Sequence, residues 1–381
     1  MIFDVTIIGA GSMGMAAGYY LALKGKKVLM LDANRPPHTE GSHHGETRII
    51  RYAYGEGEQY VPLALRAKNL WQSLEQSSGQ TLLLQTGVLN LGPVDALFMQ
   101  TILDSARCYD LPIQKLNAWQ VNKRYAGIRL PHHYFGCLEK DAGVLMCHQA
   151  IEAYREQALA YGATLLDYHH VTAISPQEKH IEVTANDKTF QSRKLIVCAG
   201  ANSQALLTML GLKLPIQPTR KTFAWYDVQG TNYDSQNFPA FSLTTDQGVY
   251  YGFPNIDGAG FKIGRHDLGQ NQDPSQAIPP FNQAVDTFDL NKVIQQYFPQ
   301  VGKFKLGKTC LYSVTPDEHF IIDKHPTNPN IVIAAGFSGH GFKFASAIGE
   351  ALADLTTHGE PQFDLTPFAL SRFKRNLAQS A

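Results

Sequence analysis

Apolar positions along this chain follow two periods, and the switches between them mark out its elements. Nearly continuous apolar runs of strand length occur at residues 4–8, 27–32, 194–200 and 330–336. Runs of that length, rich in Val, Ile and Leu, are those of strands buried on both faces. Apolar residues spaced for one helical face predict helices over about 13–23, 60–74 (Leu63, Leu70 and Leu74 share a side) and 148–161. Shorter strand pieces are expected at 86–91, 164–166 and 181–184. From about residue 215 to 311 aromatic and polar residues alternate, as in Thr222-Phe-Ala-Trp-Tyr226 and Val249-Tyr-Tyr-Gly-Phe253. Alternation suits an antiparallel sheet with one covered face. The last apolar strand leads through Gly336-Phe-Ser-Gly-His-Gly-Phe-Lys343 into a helix ending near Thr357. The pattern is α/β: a Rossmann-like, dinucleotide-binding domain with an inserted antiparallel-sheet substrate domain. The first is expected to be discontinuous, from 1–79, 144–214 and 320–381, and the second to take 80–143 and 215–319.

The first element carries a chemical signature. Asp4-Val-Thr-Ile-Ile-Gly-Ala-Gly-Ser-Met-Gly14 places Gly9, Gly11 and Gly14 in a G-x-G-x-x-G turn between a strand and a helix. Gly9 permits the tight turn, Gly11 leaves room for a pyrophosphate against the backbone, and Gly14 lets helix and strand pack closely. The helix then aims its free amides and positive dipole end at the phosphates. The next strand ends in Asp32, placed where a carboxylate accepts hydrogen bonds from the adenosine ribose. An ordinary strand-to-helix turn does not require strand, triplet, helix, strand and acid in this order, so a bound dinucleotide is expected.

Composition narrows the class. With 381 residues, 44% hydrophobic and 17% charged, the chain is long and apolar enough for two packed domains. Lys and Arg (33) balance Asp and Glu (33), so no nucleic acid or other polyanion is expected as a partner. No apolar run approaches the roughly 18 residues of a membrane helix. The start lacks the pattern of a secretory leader, and Gln379-Ser-Ala381 is not a peroxisomal address. Five cysteines, at 108, 137, 147, 198 and 310, form no C-x-x-C pair, which argues against a zinc cage or a disulfide scaffold. Cys198, inside an apolar run, reads as core. A cytoplasmic monomer without a metal is expected.

Several segments carry a resemblance. Ser42-His-His-Gly-Glu-Thr-Arg-Ile-Ile-Arg51, Ala53-Tyr-Gly-Glu-Gly-Glu58, Lys308-Thr-Cys-Leu-Tyr312, Pro316-Asp-Glu-His-Phe-Ile-Ile-Asp323 and the segment 336–343 resemble motifs of the monomeric sarcosine oxidase family. The similarity runs from the first strand to the tail at 363–373. It implies an FAD enzyme that oxidises N-methyl amino acids with O2, the flavin joined through its 8α-methyl carbon to a cysteine matched by Cys310. It also implies that Thr47, His44 and Arg48 lie at the flavin ring, with Gly339 and Lys343 beside it. Lys343 and Arg51 match a pair that holds the substrate carboxylate. Lys262 matches a lysine over flavin N5 that promotes reaction with oxygen, His266 a histidine near the substrate amine, and Tyr251 a pocket tyrosine. The segments 223–226, 86–93 and 363–373 resemble most the branch acting on N-methyl-L-tryptophan, with L-tryptophan, formaldehyde and hydrogen peroxide as products.

The residue chemistry is compatible with these roles. Cations and oriented amides near the flavin pyrimidine favour reduction, and two cations on one carboxylate would fix the reacting carbon. Arg48 and Arg51 share a side only if their segment turns helically. In a strand, Lys262, Gly264 and His266 share one face; read alone, they could equally be a solvated ladder on an edge strand. A cation near Cys310 would favour its thiolate. Counting back from Tyr251, Ser242 falls where the small-substrate members carry a bulky methionine, so a serine would free room for an indole beside Phe241, Trp225 and Tyr226. Other readings are oxidation of sarcosine or another N-methyl amino acid, an amine dehydrogenase, and a non-catalytic flavin binder.

Overall fold

In the computed structural model, which describes residues 2–357 and 359–373, the continuous apolar runs lie side by side. Ile2–Ile8 pairs in parallel with Lys188–Val197 on one side and with Val28–Leu31 on the other. Asn328–Ala335 and Thr164–Leu166 extend the parallel sheet at its two sides. Ile321–His325 adds antiparallel beyond Asn328–Ala335, and a hairpin of Val171–Pro176 and Ile181–Ala185 continues from the first half of Lys188–Val197. Parallel strands need covered faces. Ser12–Leu23 packs against Cys147–Ala160 and Ala345–Thr357, and this helical layer buries Met15, Ala16, Ala17 and Ile348 completely. The helices approach closely because Gly349 has no side chain; a Cβ there would stand 2.4 Å from that of Ala16.

The aromatic segment forms a nine-stranded sheet with Gln217–Val228 paired to the long strand Val301–Val314 on one side and Phe261–Arg265 on the other. Gly248–Phe253 and Ala240–Thr245 follow antiparallel, and Ala240–Thr245 then meets Val88–Pro93 in parallel. The sheet is therefore antiparallel except at that seam. Both faces are covered across the middle of the sheet: one buries Leu89, Phe241, Leu243, Tyr250, Phe261 and Ile263 beneath the helix Phe288–Tyr297, and the other lies under the helix Leu97–Cys108 at Phe135 and Cys137 and under the loop of Gly45 and Thr47 at Lys262. A small sheet of Thr47–Ile50, Gly143–Met146 and Leu83–Leu84 stands between the two. Residue 358 and residues 374–381, including Gln379-Ser-Ala381 and the end of the segment expected at 320–381, lie outside the described residues. Among the described residues no helix is long and apolar enough to cross a membrane, and no cluster of His, Cys, Asp and Glu could hold a metal.

Candidate active site

The glycine turn opens on a cleft of about 540 Å³, within the roughly 300–1,000 Å³ of ligand sites. Gly9, Gly11, Asp32, His43, Cys198 and Gly339 are among the residues that line it. Gly9 has φ +90°, and a Cβ there would lie 2.6 Å from the Cys198 carbonyl oxygen. A Cβ on Gly14 would strike the Gly9 carbonyl oxygen at 1.9 Å, so the helix is seated directly on the turn. Gly11 differs: a Cβ would meet protein only at 3.7 Å, at the His43 ring. Protein packing does not demand glycine there, whereas a pyrophosphate drawn close to the backbone would. Asp32 accepts from Ala10 N at 2.7 Å through Oδ2 and from Asn34 N at 2.9 Å through Oδ1, which fixes the carboxylate at the cleft wall. Cys198 is buried as expected but also seals the turn, its Sγ donating to Gly9 O at 3.0 Å.

Directly opposed residues in a sheet share a face, so pairing register lays out the second half of the site. Asn90, Ser242, Tyr251, Gly264, Phe223 and Lys308 form one row across five pairings. Phe253, Lys262 and Trp225 form the neighbouring row, and Lys221 stands opposite Cys310. All point away from the aromatic core. Gly264 leaves the space that the Tyr251 phenol uses, since a Cβ would lie 2.7 Å from its hydroxyl.

Where this face meets the turn after Thr47–Ile50 and the start of the C-terminal helix there is a second cavity, of about 80 Å³. Arg51, Glu56, Ser242, Tyr251, His266 and Lys343 are among its walls, and Arg48 and Gly339 border both cavities. The Arg48–Arg51 segment is extended and not helical, yet both arginines reach the second cavity because Arg51 follows the last paired residue, Ile50. Arg48 is fastened to the carbonyls of Ser42 (2.8 Å), His44 (2.7 Å) and Thr47 (2.9 Å). Arg51 Nη2 donates to both carboxylate oxygens of Glu56, at 2.6 and 2.7 Å, and its Nη1 donates to Asn90 Oδ1 at 3.3 Å. Burial raises the Glu56 carboxyl, but Arg51, with His340 and Lys343 behind it, takes it down to about 2. Lys343 is buried and donates to Tyr54 Oη at 3.0 Å and His340 O at 2.8 Å; burial and then Arg51 push it down to about 7. Burial holds His266 neutral, down to about 4 against the opposing pull of Glu56.

Lys262 is not on an edge. Its strand lies inside the sheet, and its ammonium is buried against Phe223, Trp225 and Phe253, with centroids at 4.8, 5.1 and 4.6 Å. It donates to Gly45 O and, at 3.0 Å, to Thr47 Oγ1. Burial, reinforced by Arg48, pushes it down to about 7. Cys310 packs with Phe223, Trp225 and Tyr312 beside this ammonium. Burial raises its thiol, and Arg48, Lys262 and Lys221 oppose the rise without cancelling it. Lys308, its sequence neighbour, instead reaches Glu46 at 2.9 Å.

Lys262, Thr47 and Cys310 thus form one buried group, and Arg51, Lys343, His266, Tyr251 and Ser242 another, with Arg48 and Gly339 at their junction with the glycine cleft. His44 borders neither cavity; its ring packs on Phe223 at 6.2 Å, while its neighbour His43 lines the cleft. Ser242 also does more than leave space: its Oγ donates to Asn90 Oδ1 at 2.7 Å, the oxygen that receives Arg51. Sequence reasoning missed Glu56, Asn90, Tyr54, His340 and the buried Glu139. Glu139 accepts the Tyr52 and Ala53 amides at 2.7 and 2.9 Å and so fixes the chain just after Arg51. A buried acid inside the apolar strand Tyr134–Glu139 was the one signal available for it.

The likenesses to known proteins agree with this layout. Among solved structures, NikD, an unusual amino acid oxidase essential for nikkomycin biosynthesis, superposes at TM-score 0.85 with 24% identity over 96% of this chain and 97% of that one. L-proline dehydrogenase from P. horikoshii superposes at 0.86 with 21% identity over 98% of each. At these identities the likeness shows the fold. Sequence relatives are nearer. Monomeric sarcosine oxidase of Bacillus sp. (strain NS-129) is 44% identical over 374 residues, 97% of each chain. N-methyl-L-tryptophan oxidase of Citrobacter koseri is 43% identical over 375 residues, 98% of this chain and 100% of that one. Residues 4–355 match the family described as FAD dependent oxidoreductase, so a glycine cleft built on a parallel sheet and facing an antiparallel one is here the framework of that family, and the chain belongs to it, in the group that holds the monomeric sarcosine and N-methyl-L-tryptophan oxidases.

Proposed function

We propose that this protein oxidises the N-methyl group of an N-methyl amino acid, with N-methyl-L-tryptophan as the leading substrate. The reaction would be N-methyl-L-tryptophan + H2O + O2 to L-tryptophan + formaldehyde + H2O2. The observation that carries the reading is the convergence of two buried cations, Arg51 and Lys343, on one cavity at the end of the glycine cleft. Gly9, Gly11, Gly14 and Asp32 fit the pyrophosphate and ribose of FAD, and Cys310 is the thiol proposed to hold its ring. In this reading the FAD-binding half comprises 1–79, 144–214 and 320–381, and the substrate half 80–143 and 215–319. A cytoplasmic monomer completes the proposal; all five cysteines are free thiols, which suits a reducing compartment.

Bound FAD supplies the two-electron acceptor for a hydride leaving the N-methyl carbon, and O2 takes those electrons on to H2O2. The protein's part is to orient and to set charge. Arg51 and Lys343 hold the substrate carboxylate, which takes the place Glu56 now fills on Arg51. Neutral His266, at the cavity wall, can hydrogen-bond to the substrate amine without becoming charged itself. Water then hydrolyses the resulting imine. Lys262, in a dry aromatic setting, offers positive charge to oxygen as electrons reach it.

The contracted second cavity, at about 80 Å³, supports a smaller N-methyl amino acid such as sarcosine as the second reading. Oxygen uptake, formaldehyde and peroxide measured with N-methyl-L-tryptophan and with sarcosine decide between them. The expected result is equal formaldehyde and peroxide, with kcat/KM at least tenfold higher for the indole substrate. A preference for sarcosine selects the second reading. Turnover that needs an added dye despite dissolved oxygen would make the enzyme a dehydrogenase.

A further inference from the structure

Two cations buried around one cavity repel each other, and something must keep them apart and aimed. Tyr54 meets both of them. The Arg51 Cζ and the Lys343 Nζ each lie 5.2 Å from the centroid of its fully buried ring. A ring face attracts the Arg51 guanidinium through its quadrupole, whereas the Lys343 ammonium, 3.0 Å from the hydroxyl, sits at the oxygen end of the ring. Its hydroxyl adds direction. The Tyr54 oxygen is 2.9 Å from His340 Nδ1 and 3.0 Å from Lys343 Nζ, and His340 Nε2 is 3.1 Å from the Glu318 carbonyl oxygen.

The protons in this chain can be placed one by one. A carbonyl oxygen only accepts, so His340 carries its hydrogen on Nε2. Burial holds the ring neutral, pushing it down to about 3, and a neutral ring then has a bare Nδ1. Tyr54 must donate its single proton to that nitrogen. Its lone pairs are left for Lys343, whose second acceptor is the His340 carbonyl oxygen at 2.8 Å. The backbone on the far side is also pinned, because Trp71 Nε1 donates to Lys343 O at 2.8 Å. Lys343 is thus held by main chain on one side and by a proton-ordered Tyr54–His340 pair on the other.

We infer that Tyr54 and His340 are positioning residues that orient the Lys343 ammonium, so that it and Arg51 grip a substrate carboxylate together. This rests on the proposed binding of an N-methyl amino acid by Arg51 and Lys343. Neither residue touches the reacting carbon in this scheme; both act through Lys343.

The test is a double-mutant cycle on the flavin-loaded enzyme with Tyr54→Phe, Lys343→Met and the double variant. N-methyl-L-tryptophan is compared with N-methyltryptamine, which lacks only the carboxylate. Tyr54→Phe keeps the ring and removes the hydroxyl. It is expected to raise KM for N-methyl-L-tryptophan about tenfold, the weight of one hydrogen bond to a charged group, with the smaller change in kcat. KM for N-methyltryptamine should move less than twofold. In the Lys343→Met background, adding Tyr54→Phe should change neither substrate by more than about twofold. His340→Leu, which releases the Tyr54 proton, provides a second variant with the same preference for the carboxylate substrate. Additive effects of Tyr54→Phe and Lys343→Met, or equal losses on both substrates, would overturn the inference. A Lys343→Met enzyme with raised KM beside a normal Tyr54→Phe enzyme would overturn it while leaving the carboxylate clamp standing. A wild-type enzyme inactive on every N-methyl amino acid would remove the clamp reading itself.

Discussion

At Cys310, burial and charge act on one sulfur in opposite senses. The site is dry, which favours the neutral thiol, while Arg48, Lys262 and Lys221 favour the thiolate, and burial prevails. The thiol is therefore protonated near neutral pH and lines neither cavity, so general alkylating reagents should react with it slowly. If Cys310 holds the flavin, acid-precipitated wild-type protein keeps its yellow colour in the pellet, whereas Cys310→Ala releases all of it to the supernatant. Absorbance near the flavin maximum in the two fractions checks this, and complete release from wild type would remove Cys310 from that role. The motif around Cys310 is legible in sequence, and so are Lys262 and Lys343, because each sits in a local run. What a residue means is less legible. Ser242 reads as vacant space until its hydroxyl is seen on Asn90, which in turn holds Arg51.

Among the elements, the glycine turn separates two reasons for having no side chain. Gly14 serves the protein: an alanine methyl would overlap the Gly9 carbonyl oxygen at 1.9 Å, and backbone cannot move aside cheaply. Gly11 serves the ligand, since its methyl would touch protein only at 3.7 Å. Gly14→Ala is expected to cost about 3 kcal/mol or more in the flavin-free protein, the upper range for overpacking, and to lower Tm by roughly 4 °C or more, at about 1.3 °C per kcal/mol for a chain of 381 residues. Gly11→Ala should leave the Tm of the flavin-free protein within about 2 °C while weakening FAD binding. Thermal melts and flavin titration of both variants distinguish the two; equal destabilisation would mean that Gly11, too, is a packing position. The strands on either side of this turn are readable from their unbroken apolar runs. The single parallel pairing in the aromatic sheet, Ala240–Thr245 against Val88–Pro93, is not, because strand direction leaves no mark on a run of side chains.

Seen as a whole molecule, the cleft is a seam. Its walls come from residues near 8–13, 31–43, 169–171, 198–209 and 337–342, so one ligand would tie together segments hundreds of positions apart. A ligand bound only by the folded state stabilises by mass action, about 4.1 kcal/mol at a thousandfold excess over Kd. Flavin-stripped Cys310→Ala should therefore melt roughly 5 °C below the same protein with excess FAD, at about 1.3 °C per kcal/mol for a chain of 381 residues. A scan with and without FAD measures it, and superimposable melts would mean that FAD does not bridge the seam. The second cavity belongs to the same scale. Its walls come from the turn that carries Arg51 and Glu56, from Ser242, Tyr251 and His266 of the aromatic region, and from Lys343, so no one element forms it.

The sequence by itself determined whatever is coded by near neighbours: the glycine turn with Asp32, the alternation of buried and amphipathic runs, the α/β class, and short motifs rigid enough to be matched as words. Tertiary structure alone decided which sheet face the site occupies, because register between strands far apart in the chain sets it and a shift of one residue would invert every side chain. It alone decided that Lys262 is interior and not an edge cation, that Arg51 meets Glu56, and that Tyr54 gives its proton to His340 and its lone pairs to Lys343. Those partners lie up to 289 positions apart, and burial makes them matter: in water each group would find a solvent molecule, whereas inside the fold each has only the others.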